Sequence, residues 1–311
     1  MRAPVPAKPN QPVDVVCFGY NSCDFLCLLD DYPSADTKLP MQEFIRQGGG
    51  QAATAAVAVA RLGLRARYLG KFGDTPEGDF ARQSLQCEDV DVAACPIVPD
   101  TQNQLAVIWV DLTSGTRTIT YLRQPGLEIH RDEFDEQTVC AGSVLLLDCH
   151  HMEASVQMAS WARAAGIPVV LDAGKLQRGV NALLALTDYV LCDASFASAY
   201  TGRGDLRFAL QEIAAQTGSP VVAATRGEHG ALVLMGEQWL EIPAFTVDVV
   251  DTTGAGDVWH GAFAAGLALG FSLPDILRFA SATAALKCTQ PGGRAGIPDR
   301  AAVDRLLKQG A

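Results

Sequence analysis

The chain has no apolar stretch of the ~20 residues that a membrane-spanning helix needs, and its opening, MRAPVPAKPNQP, carries no apolar signal-peptide core. No run of Lys or Arg is long enough to follow a phosphate backbone, and the formal net charge is -11, which argues against a nucleic-acid partner. None of the nine cysteines forms a C-x-x-C pair, and most sit in apolar runs such as Val15-Val16-Cys17-Phe18. That usage predicts free buried thiols in a reducing cytosol rather than a disulfide framework. There is no G-x-S-x-G elbow, no internal repeat, and no low-complexity tract beyond the Pro-rich start. These absences leave a cytoplasmic protein with no membrane role, in which residues 1–12 are expected to be a disordered leader and 13–311 the folded body.

At 311 residues, 49% hydrophobic and 19% charged, that body can bury a sizeable core. Short β-rich runs alternate with Ala-rich helical stretches, the pattern of a largely parallel sheet covered by helices. Strands are expected at Val13–Gly19, Val144–Asp148, Pro168–Asp172, Tyr189–Cys192 and Pro220–Thr225. Helices are expected at Gln51–Leu62, Met152–Ala165 and Asp205–Gln216. Ser272-x-x-Asp275 reads as a capping box opening a helix to Lys287, and a short helix over Asp299–Leu307 closes the chain. Two segments, 31–47 and 98–124, break the rhythm. The second holds alternating runs, Leu105–Asp111 and Thr116–Leu122, around a Thr113-Ser114-Gly115 turn. Antiparallel strands attached to an α/β body predict a small sheet acting as a lid.

The stretch richest in chemistry is VDVVDTTGAGDVWHGAFAAGLALG, residues 247–270. A β-rich run, Phe245–Val250, leads through Asp251-Thr252-Thr253 into Gly254-Ala255-Gly256, and Asp257 opens an apolar helix. Small residues let successive backbone N–H groups converge, and the helix N-terminus adds partial positive charge, so the turn suits an anion. An aspartate there can accept the proton of an attacking hydroxyl while the turn stabilises phosphoryl oxygens. A lone G-x-G-D is more often a capped tight turn. Here the whole D-T-T-G-A-G-D string stands at a sheet-to-helix junction.

The string resembles the C-terminal signature of the ribokinase (PfkB) family of carbohydrate kinases, and GGGQAATAAVAVARLG, residues 48–63, resembles its N-terminal signature. The resemblance runs from Val13 to Pro298, and the C-terminal motifs are most similar to those of sulfofructose kinases. It implies a ribokinase-like three-layer α/β/α sandwich with a β-sheet lid, using ATP and Mg²⁺ on a small sugar, with a homodimer through the lid left open. Asp257 would be the base, and Gly254, Ala255 and Gly256 the anion hole. Asp24 would bind sugar hydroxyls, with Gly49, Gly50, Gln51 and Thr54 lining the same pocket. Thr54 stands where many members carry Asn. Thr225, Gly227 and Gly230 would line the ATP phosphates, with Val247 and Lys287 flanking adenine. Asp251 and Thr253 match the monovalent-cation site of members activated by K⁺, and the Pro291-Gly292-Gly293 loop would add carbonyls. The N-x-x-E motif of many members falls on Asp193-Ala194-Ser195-Phe196, so Asp193 either takes part in organising Mg²⁺ or only ends a strand. An anionic acceptor would need cations, for which Lys38 and Arg123 in the lid segments are the candidates, with His150 weaker.

Other readings are weaker. Gly48-x-Gly50-x-x-Ala53 mimics a dinucleotide fingerprint, yet the strand before it is short and polar and no acidic residue follows at the required spacing. Adjacent His150 and His151 point in opposite directions on an extended segment, so one is expected to face the cleft and the other the body. His260, one turn after Asp257, reads equally as a group near the nucleotide or as a packed histidine. A nucleoside kinase shares the signatures, and a catalytically silent sugar-binding protein is the alternative outside enzymes.

Overall fold

A computed structural model describes residues 3–114 and 116–309. Its main sheet has eight strands, ordered from edge to edge as Gln238–Ile242, Ala231–Met235, Val221–Thr225, Tyr189–Asp193, Val169–Ala173, Gly142–Asp148, Val13–Phe18 and Ala66–Leu69. The six from Val221–Thr225 onward are parallel, and the first two pair antiparallel at the edge. The central strands are continuously apolar because both faces are covered. Val15, Cys17, Val144 and Leu146 enter one core with helices Gln51–Arg61, Ala255–Ala268 and Leu273–Lys287. Their neighbours Val16, Phe18, Leu145 and Leu147 enter a second core with helices Met152–Ala164 and Leu206–Thr217. The period-two alternation of strand side chains thus yields three layers.

The helix Gln51–Arg61 is rich in alanine for a steric reason. It packs on the helix Ala255–Ala268, and a Cβ at Gly261 would stand 2.5 Å from the Ala55 carbonyl oxygen and 2.9 Å from its Cα. Only small residues allow two backbones that close.

The lid is a four-stranded sheet in the order Glu43–Gly49, Ser22–Leu29, Leu105–Asp111 and Arg117–Leu122. It includes Ser22–Leu29, which was not among the expected lid segments. The Asp111 carboxylate accepts hydrogen bonds from the backbone of Thr113 and Ser114, starting the predicted turn, and Gly115 lies outside the described residues.

One expected strand is absent. Phe245–Val250 forms no strand, since no neighbouring strand pairs with it, and β-branched composition alone does not make one. The start of the chain touches the body at Val5 and Lys8. The Tyr189 hydroxyl donates to the Val5 carbonyl at 2.9 Å, and Lys8 N donates to Ser143 O at 3.0 Å. The same segment walls a groove of about 630 Å³ at the edge of the sheet opposite Asp257.

Candidate active site

Acidic side chains collect at the C-terminal ends of the parallel strands, where open α/β sheets place their ligands. Asp148 and Asp172 stand in register on neighbouring strands, and Asp193 ends the next one opposite Thr225. Asp148 is fully committed to backbone. Its Oδ2 accepts from Tyr20 N at 2.7 Å, and its Oδ1 accepts from His150 N at 2.9 Å. It therefore shapes both loops that face the lid.

Gly254 caps the helix Ala255–Ala268 with a left-handed φ of 71°, placing Asp257 in the first helical turn. Gly256 is exposed, and a Cβ there would meet nothing within 4 Å, so the space above this helix N-terminus is open. Asp257 is half-buried. Burial first, then the charges of Asp172, Asp148 and Asp24, push its pKa up to about 7, with His260 acting against them. A helix N-terminus favours an anion by only about 0.3–1 kcal/mol, so desolvation and like charges win. A base poised near neutral pH suits proton abstraction.

Asp251 is a framework residue. Its Oδ1 accepts from Thr253 N and Thr253 Oγ1, and its Oδ2 accepts from Gly292 N at 2.7 Å. Burial raises its pKa, but these bonds outweigh it and hold the carboxyl below its ordinary value. Lys287, expected beside adenine, is 0% exposed and donates to the Asp251 carbonyl at 2.8 Å, so its side chain supports the turn. Val247 is half-buried, in the irregular segment that leads to this turn.

The pocket beneath the lid gathers most of the expected sugar-binding residues. Asp24 accepts from Ser22 Oγ at 2.6 Å, and a Cβ at Gly49 would overlap its carboxylate, so that position has room only for glycine. Burial raises the Asp24 pKa, opposed by Ser22 and Arg294. Arg294, which sequence reasoning missed, is 7% exposed. It donates to Thr54 Oγ1 at 3.2 Å, Gly49 O at 2.8 Å and Ser84 Oγ at 3.1 Å. Thr54 thus bonds this guanidinium. Burial pulls the Arg294 pKa down to about 10, which leaves it charged at neutral pH. Its only sequence signal was its place beside the Pro291-Gly292-Gly293 loop.

Gln51 Oε1 lies 2.7 Å from His150 Nε2, and Gln51 Nε2 lies 3.4 Å from Asp172 Oδ1. The His150 ring stacks on Tyr20 at 4.6 Å, and the Arg123 guanidinium sits 5.5 Å from the Tyr20 ring. His151 is 2% exposed, receives Ile129 N and lies 3.2 Å from Glu128, so His150 faces the pocket and His151 the body, as expected. Burial lowers the His150 pKa, which makes it a poor anion partner. Lys38 is exposed on the loop between the first two lid strands, apart from this cluster.

On the nucleotide side, Thr225, Gly227 and Gly230 form a tight loop in which Arg226 N donates to Gly230 O at 2.7 Å. Asp193 caps the helix Ala194–Thr201, its Oδ1 accepting from Phe196 N and Ser195 Oγ, each at 2.7 Å. Phe196, where a Glu was expected, is buried against Tyr200.

The sequence pattern of the pfkB family carbohydrate kinases matches residues 13–300. The chain is 27% identical over 301 residues to an ATP-dependent ribose-1-phosphate kinase of Halopiger xanaduensis, covering 96% of this chain and 99% of that protein. It is 27% identical to the ribokinase of Bacillus subtilis over 94% of this chain and 99% of the relative. A putative ribokinase from Agrobacterium tumefaciens superposes with a TM-score of 0.91 at 27% identity, covering 96% and 98% of the two chains. Arabidopsis thaliana ribokinase complexed with ribose and ATP gives 0.84 at 26% identity over 95% and 99%. The chain belongs to the pfkB family of carbohydrate kinases and is an ATP-dependent kinase.

Proposed function

We propose that the enzyme transfers the γ-phosphoryl group of ATP to a hydroxyl of a small sugar held between Asp24 and the lid, with Asp257 as base. The acceptor O–H bond breaks as its proton passes to Asp257, the acceptor oxygen bonds to the γ-phosphorus, and the bond from that phosphorus to the bridging oxygen breaks to release ADP. The observation that carries this reading is Asp257 itself, half-buried in the first helical turn next to Gly256, where a Cβ would meet nothing within 4 Å. Backbone N–H groups of that turn suit the transferring phosphoryl oxygens.

Thr225, Gly227 and Gly230 would border the nucleotide phosphates. Mg²⁺ supplies charge neutralisation on those phosphates, and Asp193 has one carboxylate oxygen outside its cap bonds to meet a metal-bound water. The Asp251–Thr253 turn and the Gly292 loop, already locked together, suit a monovalent cation such as K⁺ through their carbonyls.

A sugar fits better than a nucleoside. His150 stacks on the Tyr20 ring and the Arg123 guanidinium lies 5.5 Å from it, so stacking of a base on Tyr20 would compete with both. Arg123 favours an acceptor with an anionic tail, such as a sugar phosphate or sulfosugar. The outer lid strand Arg117–Leu122 is exposed along its whole length and paired on one side only, which suits a second copy of the chain. Free thiols, as all nine cysteines are, fit the cytoplasm.

The test is ADP release across neutral pentoses and hexoses, sugar phosphates, sulfofructose and nucleosides. Turnover with a sugar acceptor is expected. Turnover with nucleosides alone, or with no acceptor, contradicts the reading.

A further inference from the structure

His260 is 5% exposed and Asp172 1% exposed, and neither is reached by solvent. Their nearest atoms, His260 Nδ1 and Asp172 Oδ2, are 2.9 Å apart. The approach is close but not aligned as a hydrogen bond. Among the described residues Asp172 Oδ2 and both His260 ring nitrogens have no hydrogen-bond partner. A neutral imidazole here would leave the buried Asp172 carboxylate without a compensating charge. An imidazolium at 2.9 Å supplies that charge.

The pair sits where such a charge matters. His260 follows Asp257 by three residues on one helix, which places the two side chains on one face, roughly 5–6 Å apart at Cβ. Asp257 is otherwise faced by Asp172 and Asp148 from the sheet and Asp24 from the lid, all acidic, while Arg294 and Lys287 lie further along the C-terminal segment. His260 is faced by Asp172, Asp257 and Asp193. Trp259 stands edge-on to its ring at 5.6 Å, closing it from water. The other Asp172 oxygen is approached by Gln51 Nε2, which connects the pair through His150 to the pocket beneath the lid.

We propose that Asp172 and His260 form a positioning pair for Asp257, in which His260, held by Asp172, keeps a positive charge one helical turn from the base. The imidazolium offsets the charge that Asp172 places on the base, and the pair fixes the base carboxylate for the incoming hydroxyl. Burial lowers the His260 pKa, but Asp172 and Asp257 outweigh it and raise it above its ordinary value, which agrees with an imidazolium at neutral pH.

The proposal rests on Asp257 being the base. Its test uses kcat against pH in the full-length enzyme, at saturating ATP and sugar, for the wild type, His260→Asn and His260→Asn/Asp172→Asn. In His260→Asn the carboxylate of Asp172 acts on the base without compensation, so the acidic limb moves to higher pH. A shift of one pH unit lowers kcat about tenfold on that limb, and the loss shrinks as pH rises. The double variant removes both charges and replaces them with two amides, so its limb returns toward that of the wild type. It also keeps the test open if the single variant, left with a lone buried carboxylate, fails to fold.

A second readout needs no variant turnover. The imidazole nitrogen resonances of His260 in the wild type report its charge directly. A charged ring at about pH 7 and the two opposite limb shifts are expected. A neutral ring, an unmoved limb in His260→Asn, or an equal loss at every pH overturns the proposal. Absence of turnover in the wild type with every acceptor would instead sink the kinase reading, while the resonances would still report on the pair.

Discussion

Arg294 and Gly49 lie 245 residues apart and are joined by one hydrogen bond, from Arg294 Nη2 to the Gly49 carbonyl at 2.8 Å. The same guanidinium reaches Thr54 and Ser84, so the C-terminal loop, the lid strand Glu43–Gly49, the first signature helix and the helix Pro76–Gln86 meet at a single buried cation. Asp24 stands beside it, and its charge is partly offset there.

Arg294→Met should therefore weaken both the fold and the pocket. Hydrogen bonds from a charged donor contribute roughly 1.5–3 kcal/mol each, so losing three, with relaxation, should cost on the order of 3 kcal/mol. The sugar KM should rise by at least about tenfold, more than the ATP KM. A thermal midpoint within about 2 °C of wild type, with an unchanged sugar KM, would contradict this role.

Asp257→Asn should retain ATP binding and lose roughly 10²–10⁴ in kcat, the range for removal of a general base. In the wild type, only ionised Asp257 can take the proton. With its pKa near 7, kcat should fall as pH drops below neutrality and level off above it. Titration calorimetry for ATP and a pH series for turnover check the two halves. Near-normal turnover in Asp257→Asn would remove the assignment.

Asp193 caps a helix, and the proposed role at Mg²⁺ is separable from that cap. As a helix cap, its replacement by alanine should cost about 1 kcal/mol of stability whatever the metal does. If its remaining carboxylate oxygen also orders a metal-bound water, Asp193→Ala should raise the Mg²⁺ concentration for half-maximal rate at fixed ATP. An unchanged Mg²⁺ curve alongside a lowered melting point would leave the cap as its whole function.

An anion-binding role for Arg123 predicts discrimination between acceptors by charge. Arg123→Ala should raise KM for a sugar phosphate or sulfosugar by about tenfold and barely alter KM for a neutral sugar. Lys38→Ala, on the exposed loop, should do less, unless the lid brings it inward with substrate bound. Rising ionic strength should weaken the anionic acceptor preferentially. Equal effects on neutral and anionic acceptors would exclude an anion-binding role for Arg123.

Much of this architecture is legible in the chain because strands buried on both faces announce themselves as unbroken apolar runs. Gly142–Asp148 and Val169–Ala173 are of that kind, and their acidic ends mark the ligand edge of the sheet. The caps at Asp205 and Ser272 follow from local chemistry and appear as expected. The edge hairpin Ala231–Met235 and Gln238–Ile242 was missed although Gly236, with a φ of 62°, marks its turn. Phe245–Val250 misled in the other direction, because strand formation needs a partner that composition does not reveal. The turn around Asp257 is a contiguous string and could be read directly. Arg294, Asp172 and His260 act through contacts between distant segments, which no local pattern encodes. Lys287 shows the converse, since a lysine in the right region proved to be buried scaffold.

The contact of Gly261 with the Ala55 backbone bears on how such an enzyme can change. Any side-chain growth at that seam must prise apart the two helices that carry Asp257 and the floor of the sugar pocket. Natural drift or laboratory selection toward a new acceptor is thereby channelled into places such as the outer lid strand Arg117–Leu122, where an altered side chain meets water rather than backbone. The phosphoryl-transfer apparatus can then pass unaltered from one substrate preference to the next.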